Sequence, residues 1–207
     1  MRFVDKVVDI ANSVPIINYY VHKMLTGNKK SYKDTIENLI SLAEMKNTTI
    51  LDIGSGTGHF GEYYPESANL IFSEIDFLNC KFTKSRTNST VVILDGTYLP
   101  FCAYSLDIIV FINVFHHLCV DACSVIMQEV HRVLSKGGRF ILIDIFIPRK
   151  KGLVPWFFLY VERGKHIKRI EELNKIVEYG KLFSKEREIL DRENPLHNLV
   201  YFMLSKK

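Results

Sequence analysis

Residues 51–64 read LDIGSGTGHFGEYY, and two glycine patterns overlap within them. Gly54, Gly56 and Gly58 alternate directly after the apolar run Thr49-Ile50-Leu51 and the acid Asp52. Gly56, Gly58 and Gly61 spell G-x-G-x-x-G, the spacing used for dinucleotides. A strand that enters a glycine-rich turn ahead of a helix bares backbone N–H groups to a ligand. Glycine suits such a turn because a Cβ would block the approach or forbid the dihedral angles.

The neighbouring acids choose between the two triplets. A dinucleotide asks for an acid about 20 residues further on to meet a ribose, and Glu74 meets that spacing. Under that reading, however, Gly61 lies well inside a helix that must end before Pro65, and Asp52 has no task. A pyrophosphate also disfavours a carboxylate aimed at it. Asp52 suits a ligand that carries positive charge.

Outward from the loop, the chain alternates short apolar strands with helices. Strands are expected at Thr49–Ile53, Leu70–Ser73, Val91–Leu94, Leu106–Asn113 and Arg139–Phe146. A helix is expected at Asp121–Leu134, with Val125, Ile126, Val130, Val133 and Leu134 on one face and Gly137-Gly138 as its stop. The strands are nearly unbroken apolar runs, as in a parallel sheet covered on both faces. The pattern predicts an α/β fold with a doubly wound, Rossmann-like sheet. A helix at Glu171–Tyr179 and two strands, Arg187–Leu190 and Leu199–Leu204, close the chain, the last pair antiparallel. Residues 1–46 read as helical, with Pro15 as an interruption.

Five motifs in order resemble class I S-adenosylmethionine-dependent methyltransferases of the type 11-like kind. Asp52 to Gly58 (DIGSGTG) resembles the first motif of that family, and Ser73-Glu74-Ile75-Asp76 its ribose acid at the end of the second strand. Asp95-Gly96, with Leu99-Pro100-Phe101 and Ser105-Leu106-Asp107, is similar to D-A-x-x-L-P-F…S-F-D. Phe115-His116-His117-Leu118 resembles L-H-H-L, and Glu129 to Arg139 resembles E-x-x-R-V-L-K-P-G-G-R. Departures are Ser135-Lys136 in place of Lys-Pro, Glu74 where Asp is commoner, and a short helix after the glycines.

The resemblance implies a seven-stranded, mostly parallel sheet with one antiparallel strand. It implies a helical N-terminal cap over residues 1–46 and a cofactor-binding methyltransferase domain over 47–207. It implies S-adenosylmethionine as cofactor, S-adenosylhomocysteine as product, and a small-molecule acceptor. The cofactor-binding residues implied are Asp52, Gly54, Gly56, Gly58, Glu74, Ile75, Asp95, Gly96 and Asn113. Asp52 would face the ammonium, Glu74 the two ribose hydroxyls, and Asp95 with the Gly96 N–H the adenine. Two alternatives stand beside this reading: an NAD-dependent oxidoreductase using the second triplet, and a methyltransferase-like scaffold without turnover.

No catalytic signature is obligatory for methyl transfer, and none stands out. His116 and His117 follow the fourth strand and are substrate-pocket candidates, either as base or as locally bonded strand caps. With Cys119, Asp121 and Cys123 they suggest a metal cluster, but the helix starting near Asp121 spreads these residues over different faces, so no metal is expected. The stretch 149–169 sets Arg149, Lys150, Lys151, Arg163, Lys165, Lys168 and Arg169 around Trp156, Phe157, Phe158 and Tyr160. It reads as a substrate lid, a peripheral membrane contact, an RNA patch, or a helix with packed aromatics and wet cations. The aromatic stretch Ile16 to Tyr20 is expected to close the other side of the substrate pocket.

Composition limits the classes. A net charge of +4 permits nucleic-acid or acidic partners without demanding them. The longest uncharged apolar run, Ile108 to Val120, is shorter than the ~20 residues a bilayer requires. No signal-peptide pattern appears at the N-terminus. Cys80, Cys102, Cys119 and Cys123 lack a secreted-framework spacing, so reduced thiols in a cytoplasmic protein are expected.

Overall fold

The computed structural model describes residues 14–26, 30–43, 48–147, 166–191 and 198–207. The strands of these residues form a seven-stranded, mostly parallel sheet. By contacts the chain divides into two compact units, Met1–Leu94 and Asp95–Lys207.

In the first unit, helices α1 (Pro15–Thr26) and α2 (Lys30–Ala43) precede β1 (Thr49–Ile53), β2 (Asn69–Glu74), α3 (Phe77–Arg86) and β3 (Thr90–Ile93). Pro15, expected as an interruption, is the first residue of α1, where its missing N–H and fixed φ cost nothing. Strand β1 is buried from Ile50 to Ile53, and it pairs in parallel with β2, which pairs in parallel with β3. Asp76 caps α3, its carboxylate accepting the Asn79 N–H at 2.8 Å.

The second unit holds β4 (Leu106–Ile112), α4 (Val120–Val133), β5 (Leu134–Phe146), α5 (Ile170–Val177), β6 (Phe183–Asp191) and β7 (Asn198–Lys206). β4 and β5 are parallel, and β7 is antiparallel to both β5 and β6, as expected. The buried stripe of α4 is Cys123, Ile126, Met127, Val130 and Val133. Val125, expected on that stripe, is exposed. The two lie on different sides because the helical period carries 123, 126–127, 130 and 133 to one face and leaves 125 off it.

A second correction concerns Gly137-Gly138. They lie inside β5, which begins at Leu134 immediately after α4. Leu106 pairs with Leu134 and Ile108 with Arg139, so the surplus residues of β5 form a bulge with Gly137 at φ 81. No helix of the described residues is long and apolar enough to cross a membrane.

Candidate functional site

The glycine loop of the first unit resolves which triplet is special. Gly54, Gly56 and Gly58 all have positive φ (68°, 54° and 70°), whereas Gly61 does not. Gly61 sits in the 3-10 turn His59–Tyr63, and a Cβ there would fall 2.7 Å from the Phe72 ring. It is a packing residue. A Cβ on Gly58 would fall 2.7 Å from Thr83 Cγ2, so the loop lies tightly on α3 as well as being left-handed.

Hydrogen bonds hold the loop to the strand ends. Ser55 donates its N–H to Ser73 O at 2.9 Å, Ser73 Oγ donates to Asp52 O at 3.1 Å, and Thr83 Oγ1 donates to Gly56 O at 3.2 Å. The Glu74 carboxylate accepts three backbone N–H groups: Gly56 at 2.9 Å on Oε2, and Ile75 at 2.7 Å and Asp76 at 3.0 Å on Oε1. Each carboxylate oxygen offers about two acceptor positions, so Oε2 keeps one for a ligand hydroxyl. Ile75 stands exposed beside it.

Asp52, at the end of β1, is buried, and its Oδ2 has no hydrogen-bond partner among the described residues. Burial pushes its carboxyl up to about 7; the Tyr64 side chain opposes that rise and the Glu74 charge adds to it. The Tyr64 side chain hydrogen-bonds to this acid, and its Oδ2 remains open to a cationic or donor group.

Helix α1 reaches the same unit's loop through Tyr19. Its hydroxyl donates to Glu62 Oε1 at 3.0 Å in the 3-10 turn, and the Arg86 guanidinium lies 3.6 Å from its ring centre. Ile16, Ile17 and Tyr20 on α1 are exposed.

In the second unit, Asp95 forms a local turn, its Oδ1 accepting the Thr97 N–H at 2.9 Å and the Thr97 hydroxyl at 2.8 Å. Gly96 follows in that turn. The residues after it are tied down by α4. Glu129 Oε2 accepts the Leu99 N–H at 2.8 Å, and Arg132 donates to Leu99 O at 2.8 Å and Phe101 O at 2.9 Å. Arg132 also donates to Glu129 Oε1 and Oε2, each at 2.7 Å. The Arg132 side chain, helped by the Leu99 N–H, holds the Glu129 carboxyl below its usual range. The sequence resemblance included both segments, but their contact was not visible in it.

Asn113 ends β4 at φ 57 with its N–H on Ile143 O at 2.9 Å. Asparagine tolerates this left-handed conformation better than most side chains. His116 and His117 lie in the 3-10 turn Phe115–His117 and differ sharply: His117 is exposed, while His116 is 1% exposed. His116 Nδ1 lies 2.7 Å from Asp144 Oδ1, and its backbone N–H donates to Asp144 Oδ2. Asp144, fully buried in β5, was missed because it stands inside an apolar run.

Lys168 corrects the expectation of wet cations. It is buried, and its ammonium donates to Phe115 O, Leu118 O and His166 O at 2.6–3.0 Å. Three donors thus meet three carbonyls. Arg169 is exposed, and residues 149–165 of the basic and aromatic stretch lie outside the described residues. Cys123, beside this network, has its thiol pushed up to about 11 by burial. Among the described residues no group of three or more histidine, cysteine or acidic side chains is arranged to hold a metal.

Residues 51–142 match the family described as methyltransferase domain. A malonyl-[acyl-carrier protein] O-methyltransferase of Hamiltonella defensa is 28% identical over 138 residues, 64% of this chain and 52% of that protein. An uncharacterised protein of Methanocaldococcus jannaschii is 32% identical over 131 residues, 60% of this chain and 50% of that one. The chain therefore spans about half the length of these relatives. A solved structure from Pyrococcus horikoshii superposes with a TM-score of 0.68 at 21% identity, covering 92% of this chain and 98% of that one.

Proposed function

We propose, from the match of residues 51–142 to the methyltransferase-domain family, that the chain methylates a small molecule with S-adenosylmethionine. The observation that carries the reading is Asp52: a buried carboxylate with a partnerless Oδ2, directly before three left-handed glycines. That acceptor fits a cationic group and repels a pyrophosphate.

When bound, S-adenosylmethionine supplies an electrophilic methyl group on a sulfonium. In the proposed mode Asp52 balances the ammonium, and the free acceptor position of Glu74 Oε2 takes a ribose hydroxyl. Ile75 offers its exposed apolar side chain to the adenine, and Asp95 with the Gly96 N–H meets the polar edge of that base. Asn113 turns the chain at the end of β4 toward the methionine part.

Methyl transfer mainly requires a nucleophile held on axis at close range with water excluded. A base is needed only where that nucleophile has a proton to lose. His116 is paired with Asp144 and buried, so we assign it to holding the turn after β4 and leave the base unassigned.

Calorimetric titration with S-adenosylmethionine and with NAD(H) tests the cofactor. Binding of the first at micromolar concentration supports the proposal, whereas binding of NAD(H) alone overturns it. Transfer of labelled methyl to a compound in a metabolite extract separates an enzyme from a silent scaffold.

A further inference from the structure

Glu129 and Arg132 form an ion pair that does more than bridge one helical turn. Of the four hydrogen bonds that Arg132 makes, two go to carbonyls of the segment Leu99–Phe101 and two to Glu129. Glu129 in turn accepts the Leu99 N–H. The Leu99 side chain is 1% exposed, so this residue is held by both its backbone groups and its packing. Further along, Tyr104 N donates to Arg132 O and Ser105 N to Val133 O, carrying the same helix end along the rest of the loop.

Upstream, the loop is short and self-bonded. Tyr98 N donates to Asp95 O, and Asp95 Oδ1 takes both donors of Thr97. The turn at Asp95-Gly96 is therefore one rigid step from Leu99. Nothing else in the segment 95–98 is buried. The Asp95 turn is thus held at one end by buried Leu94, whose N–H donates to Glu74 O at 3.2 Å, and at the other by Leu99.

We infer that Glu129 and Arg132 are positioning residues for the adenine end of the cofactor, acting through Leu99 on the Asp95-Gly96 turn. This rests on the adenine placement proposed above. A guanidinium that grips two carbonyls and a bidentate carboxylate fixes a loop to within a fraction of an ångström, which a binding constellation requires. A lysine in place of Arg132 lacks the planar fork for four such bonds.

The test is a binding cycle using S-adenosylmethionine and adenosine as probes, with the full chain. Glu129→Gln keeps the shape and removes the charge. It should weaken both probes about tenfold, roughly the effect of part of one charge-assisted hydrogen bond. In an Asp95→Ala background, where the contact being positioned is already gone, the same substitution should cost less than about twofold. A merely structural role would lower affinity by the same factor in both backgrounds, and that result overturns the inference. So does an unchanged affinity in Glu129→Gln.

Glu129→Asp retains the charge with shorter reach and should fall between the two, which keeps the test open if Glu129→Gln folds poorly. Failure of the unaltered chain to bind either probe would sink the proposed function together with this inference. A normal titration of the unaltered chain followed by a background-independent loss sinks the inference alone.

Discussion

The Gly56 N–H donates to Glu74 Oε2 at 2.9 Å, joining the crest of the glycine loop to the acid at the end of β2. Glu74 is therefore a structural part of the loop as well as a candidate ribose contact. Its extra methylene, relative to the aspartate commoner at this position, gives the reach to accept from Gly56 while Oε1 caps Ile75 and Asp76.

Replacement of Glu74 by Ala should weaken S-adenosylmethionine binding by about 2 kcal/mol, since a charge-assisted contact is lost. It should also lower thermal stability, because three backbone donors lose their acceptor. Glu74→Gln keeps the reach and should lose less stability than Ala, and Glu74→Asp should lose the Gly56 bond first. Calorimetry and thermal melting on the three variants check this order. Unchanged affinity in Glu74→Ala would place the ribose elsewhere.

Asp52 makes cofactor binding and stability depend on pH with opposite signs. Its carboxyl titrates near 7 in the folded chain and near the ordinary value of 3.8 when exposed. Between those values the folded state holds a proton that the unfolded chain has released. Stability is thus greatest on the acid side and declines by a few kcal/mol as pH rises through about 7. An ammonium ligand wants the ionised form, so affinity for S-adenosylmethionine should climb as pH rises from 5.5 to 7.5 and then level. Asp52→Asn should abolish that slope and remove the decline in stability. Titrations and melting curves across this range measure both, and a flat affinity profile in the unaltered chain would rule out the ammonium contact.

Gly58 and Gly61 separate dihedral strain from crowding. Gly58→Ala meets both, with φ 70 and Thr83 Cγ2 at 2.7 Å from the new Cβ. A cost of about 2–3 kcal/mol is expected, of which about 1–2 is the left-handed backbone. Thr83→Ser removes the offending methyl and keeps the hydroxyl that donates to Gly56 O, so the double variant should recover only the crowding share. Gly61→Ala meets the Phe72 ring without backbone strain, and Phe72→Leu should relieve it. Urea unfolding of these single and double variants supplies the numbers.

These features differ in how far the sequence betrayed them. The limits of β1 match the expectation, and α4 is displaced by one residue, because buried strands and a period of 3.6 leave a direct trace in residue order. The alternating glycines and Asp52 are equally local. Asp144 was hidden because an isolated acid in the run Ile141–Phe146 pairs with a histidine 28 positions earlier, and no short pattern records such a contact. Lys168 looked like one more cation of a basic stretch, since its three acceptors are carbonyls, which any residue possesses. The link from Glu129 to Leu99 is invisible for the same reason. Gly137-Gly138 misled because a strand bulge and a helix stop use the same residue for the same dihedral freedom.

Lys168 yields the last prediction because its burial distinguishes it from the chain's surface lysines. Lys168→Met preserves most of the side-chain volume and removes all three donors, leaving Leu118 O and His166 O without this partner while Phe115 O keeps the Leu118 N–H. Each buried group so stranded costs about 1–3 kcal/mol, offset in part because a cation no longer has to be desolvated. A net loss of about 2–4 kcal/mol is expected. Lys33, in a half-exposed pair with Glu37 at 3.5 Å, provides the contrast, and Lys33→Met should change stability by less than about 0.5 kcal/mol. Raising the salt concentration to 1 M should erase the small Lys33 effect and leave the Lys168 effect intact, since screening acts on exposed charges and not on buried ones. Denaturant unfolding at low and high salt measures both, and a Lys168→Met variant as stable as the unaltered chain would show that this ammonium does not hold the turn after β4.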